Sequence, residues 1–133
     1  MTLRLTRSLA AALLLAGGIV HYGLWQGGYR HIPVIGPLFL ANVFGSITLA
    51  AAALVSRRRV VSLAGALFAA GSLAALILSR TVGIFGFTET VWTAPAVKAL
   101  LSETGVMAIL GLDVVLQLRA QQRRQRVLIT AGR

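Results

Sequence analysis

The residues able to do chemistry are few in this sequence: three carboxylates, two histidines and no cysteine among 133 residues. Four polar side chains fall inside or at the ends of long apolar runs: His21, Asn42, Arg80 and Glu103. An ionisable group inside a bilayer costs about 2.5–3.5 kcal/mol on insertion scales, so each such residue is a candidate site. Counting at 1.5 Å per residue from the less basic side puts Glu103 ~10 Å deep, Asn42 ~12 Å and His21 ~6 Å, with Arg80 ending its own run. These residues predict a small polar chamber open to the outer face. Glu103 is its titratable group, Arg80 the charge partner, and His21 and Asn42 its hydrogen-bonding walls. Tyr22, Arg30, His31 and Glu89 are candidates for its rim. The competing reading is structural: Arg80 and Glu103 neutralise each other while His21 and Asn42 bridge helices, at ~0.6 kcal/mol per interhelical hydrogen bond. Asp113 lies towards the opposite end, where the arginines at 57–59 are the expected partners.

Several chemistries are excluded. Without cysteine there are no disulfides, thiolate metal sites, iron–sulfur clusters or cysteine nucleophiles. No glycine-rich phosphate loop, GxSxG elbow or HExxH pair occurs. Two histidines are too few for a di-metal site, and His31 falls in a loop where it cannot face His21 across a haem. The expectation is a non-enzyme that carries no cofactor and no metal.

What must position these residues is a set of membrane spans. The chain is 57% hydrophobic and only 12% charged, with a mean hydropathy of +0.84, about half the charged fraction of an average soluble domain. Spanning ~30 Å of hydrocarbon takes about 20 apolar residues. Four stretches qualify, at about 8–25, 34–55, 60–79 and 96–118. Helices satisfy every backbone amide within the segment, whereas the alternating ~10-residue strands of a β-barrel are missing. The fold class is therefore all-α, a four-helix transmembrane bundle forming one domain over 1–118, followed by a basic tail at 119–133. Arg4 and Arg7 before the first run could mimic a secretory signal, but the run reaches Trp25 without a convincing cleavage site, so it reads as a retained helix.

The net charge is +10, and 12 of the 13 basic residues are arginine. Ten of them (Arg4, Arg7, Arg57, Arg58, Arg59, Arg119, Arg123, Arg124, Arg126 and Arg133) fall on one side of the spans. Only Arg30, Arg80 and Lys98 fall on the other. Cytoplasmic loops carry the arginine excess, so both termini are expected in the cytoplasm of a bacterial cell, the protein being multi-pass in the cytoplasmic membrane. Arg57, Arg58, Arg59, Arg119, Arg123, Arg124 and Arg126 are the expected contacts to anionic lipid headgroups. With no interleaved aromatics and no separate domain, no nucleic-acid binding is expected.

The 56–59 turn is so short that the second and third helices must be antiparallel neighbours. The connection at 80–95 is long and apolar, fitting a segment that lies at the interface or folds back over the bundle. Small residues mark one inward stripe per helix: Gly17 beside His21, Asn42 with Gly45 and Ser46, Gly65 with Ser72 and Ser79, and Glu103 with Met107 and Leu110.

The run His21-Tyr22-Gly23-Leu24-Trp25, followed by Gly28-Tyr29, Ile32-Pro33-Val34-Ile35-Gly36-Pro37-Leu38-Phe39-Leu40 and Asn42, is distinctive. So is Gly83-Ile84-Phe85-Gly86-Phe87 followed by Glu89. Together they resemble a group of small four-helix integral membrane proteins of actinobacteria and other high-GC bacteria, over most of the chain up to about Leu118. The resemblance implies topology and source, and it carries no mechanism. Two better-understood four-helix families fit less well. Small multidrug exporters need a glutamate in their first helix, which this chain lacks, and dual-topology fluoride channels need a balanced arginine count. The expected role is a non-enzymatic accessory or structural subunit binding lipid, a membrane protein partner or a second copy of itself. The alternative is a proton-responsive transporter or channel subunit built around Glu103. A third, a lipid- or quinone-linked redox component, rests on the outer aromatic residues alone.

Overall fold

The computed structural model describes residues 3–131. Those residues form four α-helices, α1 (Leu3–Gln26), α2 (Ile35–Val55), α3 (Arg59–Thr81) and α4 (Ala94–Ala131), with a single 3₁₀ turn at Tyr29–His31. Each helix is long and apolar enough to cross a membrane, as the sequence predicts. Alanine and leucine dominate all four, and both are strong helix formers. The apolar residues are distributed inside out. Large side chains such as Ile19, Phe44, Leu67 and Leu101 are exposed, while the core is built from Ala10, Ala11, Leu14, Ala50, Ala69, Val106 and Leu110. Helices that associate in surroundings as apolar as leucine pack through small residues in this way.

Helix α1 packs along both α2 and α4, and α3 packs along α4. Gly17 brings α1 against Ser102 of α4, and Gly18 brings it against Ser46 of α2. Gly65 accommodates Leu110 of α4, which fastens α3 to α4. Helices α2 and α3 are consecutive, as their short turn requires, yet they touch only over a short stretch where the ring of Phe68 sits on Gly45. A gap is left between them.

Two boundaries differ from expectation. Among the described residues helix α1 runs from Leu3, so it takes in Arg4 and Arg7 as well as the expected 8–25 run. Helix α4 runs 38 residues without interruption. The basic segment is therefore its continuation and no separate arm, because Arg, Gln, Leu and Ala all favour helix. Arg59 Nη1 donates to Gln121 Oε1 at 2.9 Å, tying this extension to the start of α3. Arg133 lies outside the described residues.

The connections at the opposite end fix the site. In the 82–93 loop, Ile84 and Phe87 exchange two backbone hydrogen bonds of 2.8 Å. That makes a two-residue hairpin whose corners, Phe85 and Gly86, have φ of +49° and +76°. Glu89 N–H then donates to Ser79 O at 2.9 Å, turning the loop back onto α3. The Thr93 hydroxyl accepts the Ala96 N–H and so caps α4, and Pro95 occupies the first turn of that helix, where its missing N–H costs nothing. Before α2, Ile35 N–H bonds Pro33 O at 2.8 Å around Val34, whose φ is +66°. A β-branched residue in such a γ-turn costs on the order of 1–3 kcal/mol. Gly36 is required beside it, since a Cβ there would come within 2.7 Å of the Arg30 carbonyl oxygen.

Candidate functional site

The gap between α2 and α3 leads into a cavity of about 420 Å³ at the loop end of the bundle. Its mouth is margined by Leu38 and Ala41 of α2 and by Leu67 and Gly71 of α3, all exposed. A Cβ added at Gly71 would meet nothing within 4 Å. The walls are apolar, with Leu24, Phe39, Phe68, Ala75 and Ala99 among them.

The polar floor is a directed chain of hydrogen bonds. Ser46 Oγ donates to Asn42 Oδ1 at 3.2 Å, and Asn42 Nδ2 donates to Ser72 Oγ at 2.9 Å. Ser72 Oγ in turn donates to Glu103 Oε1 at 2.8 Å. Three helices meet through these four side chains, and Glu103 itself is only 4% exposed. No salt bridge to Glu103 occurs among the described residues. His21 also lines the cavity, but its Nδ1 engages the Gly17 carbonyl of its own helix at 2.9 Å and its ring meets the edge of Phe39.

Arg80 is not the charge partner of Glu103. It lies two helical turns, ~12 Å, along α3 from Ser72, at the roof of the cavity. There its guanidinium pairs with the Glu89 carboxylate at 3.5 Å. It also donates to the carbonyls of Glu89 (2.8 Å) and Val91, and lies over the Trp92 ring. The Tyr29 hydroxyl donates to Glu89 Oε2 at 2.7 Å, joining the two connections across the cavity. The Tyr29 ring stacks on Phe39 and contacts Phe87 edge-on. The 80–95 loop does fold back over the bundle, with Ile84, Phe87, Glu89 and Thr93 forming the lid.

Of the expected rim, only Glu89 lines the cavity. Tyr22 is exposed, stacks on Trp25 and accepts from Gln26. Arg30 and His31 are exposed and bond each other at 2.9 Å. Sequence reasoning missed the bridging role of Ser72, although its heptad spacing from Gly65 and Ser79 had placed it on the inward face. It also missed the tie from Tyr29 to Glu89, for which a sequence separation of 60 offers no signal.

Burial, then the hydrogen bond to Glu89 and the Glu89 charge, push the Tyr29 hydroxyl up to about 12 against the lowering effect of Arg80. Its ordinary value is 10.0, so the folded protein keeps a proton that the unfolded chain loses. The tie therefore contributes fully below pH 10 and is lost as the pH rises towards 12. Melting temperature measured across that window is expected to fall more steeply for wild type than for Tyr29→Phe. Parallel curves would show that the tie does not form.

A second polar cluster sits at the basic end. Asp113, 1% exposed, accepts on one oxygen from Ser62 Oγ at 2.5 Å and Gln117 Nε2 at 2.8 Å. Its ion-pair partner is Arg7 of α1, at 3.4 Å, and not the turn arginines. Arg57, Arg58 and Arg59 are exposed, whereas the early start of α1 carries Arg7 to the level of Asp113. Arg7 also donates to the Ser56 carbonyl, the cap at the end of α2.

Among the described residues no three histidine, aspartate or glutamate side chains gather as metal ligands would. Compared with protein-family models, curated proteins and solved structures, the chain matches none.

Proposed function

We propose that this chain is a multi-pass protein of a bacterial cytoplasmic membrane, both ends cytoplasmic. In this reading it serves as a non-enzymatic accessory subunit that holds a single membrane lipid in the α2–α3 cleft. The observation that carries the reading is the sideways mouth between two helices that pack closely everywhere else against their neighbours. A cavity with apolar walls and a polar floor suits an amphiphile that enters from the surrounding lipid, since its tail stays in apolar surroundings on entry. The ten-to-three arginine split supports the orientation. The exposed arginines of the 57–59 turn and the α4 extension supply general attraction to anionic headgroups, ~1 kcal/mol each near the surface.

Native mass spectrometry of gently extracted protein tests the cleft. Wild type is expected to retain a lipid-sized mass, at least ten-fold depleted in Ala41→Trp and Gly71→Trp, which fill the mouth from exposed positions. A bare chain, or equal retention by all three proteins, would overturn the reading and favour a partner helix instead. The hydrogen-bond chain ending on Glu103 favours one second reading, a proton-responsive transporter or channel subunit. Glu103→Gln separates them. The amide oxygen still accepts from Ser72, so lipid retention should persist, whereas a proton-coupled function would be abolished.

A further inference from the structure

A separate recess of about 500 Å³ opens at the basic end, lined by Arg4, Arg7 and Ser8 of α1, by Leu54, Val55 and Arg57 around the end of α2, and by Gln117 of α4. Three guanidiniums converge on it, and the one carboxylate behind them, Asp113, is already taken up by Arg7. Arg4 and Arg57 make no ion pair or side-chain hydrogen bond among the described residues. Arg7 is held in place by Ser56 and Asp113, and its Nε is left without an acceptor. The recess thus holds two uncompensated guanidiniums, Arg4 and Arg57, beside a third that Asp113 and Ser56 hold in place. Its remaining wall is apolar and outward-facing, with Leu54 59% and Val55 85% exposed.

We propose that this recess binds the phosphodiester of an anionic phospholipid. The guanidiniums of Arg4 and Arg57 grip the phosphate oxygens, the Ser8 hydroxyl adds a donor, and the first acyl carbons lie on Leu54 and Val55. Arginine suits this role because its planar fork offers paired donors to phosphate oxygens. Basic pockets between spans on the cytoplasmic side recognise phospholipid headgroups by the same chemistry. Free phosphate shares that chemistry but has no use for the apolar wall. The site differs from the general attraction of the exposed arginines: it has defined donors from α1 and from the turn after α2, and a defined position for the chain. It rests on the membrane reading above and is independent of the α2–α3 cleft.

The test is a lipid titration of the full chain in detergent, followed by native mass spectrometry, with phosphatidylglycerol, phosphatidylcholine and inorganic phosphate as probes. Phosphatidylglycerol is expected to bind at least ten-fold more tightly than phosphatidylcholine. That preference should vanish in the double variant Arg4→Ala/Arg57→Ala, whose targets are exposed, and survive in Arg119→Ala/Arg123→Ala on the α4 extension. Displacement by millimolar inorganic phosphate would keep the anion site but assign it to the free ion, overturning the lipid assignment. Equal binding of both lipids, or equal losses in the two double variants, would overturn the proposal. The cleft variants Ala41→Trp and Gly71→Trp should leave this preference intact, so failure here and failure of the cleft reading are distinguishable.

Discussion

Arg80→Ala is expected to release the 82–93 loop and to cost about 3 kcal/mol of stability. The other ties are few: the Glu89 N–H bond to Ser79, the Tyr29 hydroxyl on Glu89 and the Tyr29–Phe87 ring contact. Val82, Phe85 and Val91 are exposed, and the hairpin corner keeps Phe85 at a positive φ that a bulky side chain disfavours. The side chain of Arg80, only 7% exposed, bonds the Glu89 and Val91 carbonyls, pairs with the Glu89 carboxylate and lies over Trp92. Its removal leaves a carboxylate that is only 24% exposed without its charge partner and with the Tyr29 hydroxyl alone, a penalty added to the lost hydrogen bonds of Arg80. Lysine keeps the charge but not the fork, so Arg80→Lys should be about half as damaging. Denaturation in mild detergent reads the stability, and limited proteolysis within the 82–93 loop reads the release. Unchanged melting together with an equally resistant loop would show that the latch is held by something else.

The same latch marks where sequence reasoning reached and where it stopped. The four helices were legible because apolar runs of about 20 residues leave the backbone no other solution in lipid. The meeting of Asn42 and Glu103 was legible too. Helical rise converts residue count into depth, and both counts gave the same level. The partner of Arg80 was not. Its depth followed from counting, but an arginine reaches several ångströms either way. The loop decided the matter, since Gly83 and Gly86 at positive φ return Glu89 to α3. Sixty residues separate Tyr29 from Glu89, and spacing cannot announce such a contact. Glycine gave equally mixed information. Gly45 and Gly65 are pressed by Phe68 and Leu110, the packing role small residues suggest, whereas Gly71 faces open space and marks the cleft. Composition is the same in both cases, so the cleft could be found only in three dimensions.

The cluster at the basic end should give the largest single destabilisation and, with it, a rescue. Arg7→Met leaves Asp113 charged and almost fully buried, and a loss of about 3–5 kcal/mol is expected. Asp113→Leu should be similarly damaging, because Arg7 then keeps a buried charge and Ser62 and Gln117 are left without their acceptor. The double variant Arg7→Met/Asp113→Leu removes both charges, and most of the stability should return. Such recovery is favoured by how incompletely the pair is satisfied. Asp113 Oδ1 and Arg7 Nε have no partner, and three donors crowd onto Oδ2. A buried ion pair with orphaned atoms holds little advantage over well-fitted apolar side chains. Recovery should stop about 2 kcal/mol short of wild type, since methionine cannot cap the Ser56 carbonyl as Arg7 does and the buried Ser62 hydroxyl still lacks its acceptor. Melting temperatures of the four proteins close the cycle. A double variant as unstable as the sum of the singles would mean that the two residues act apart, with Arg7 serving α2 alone.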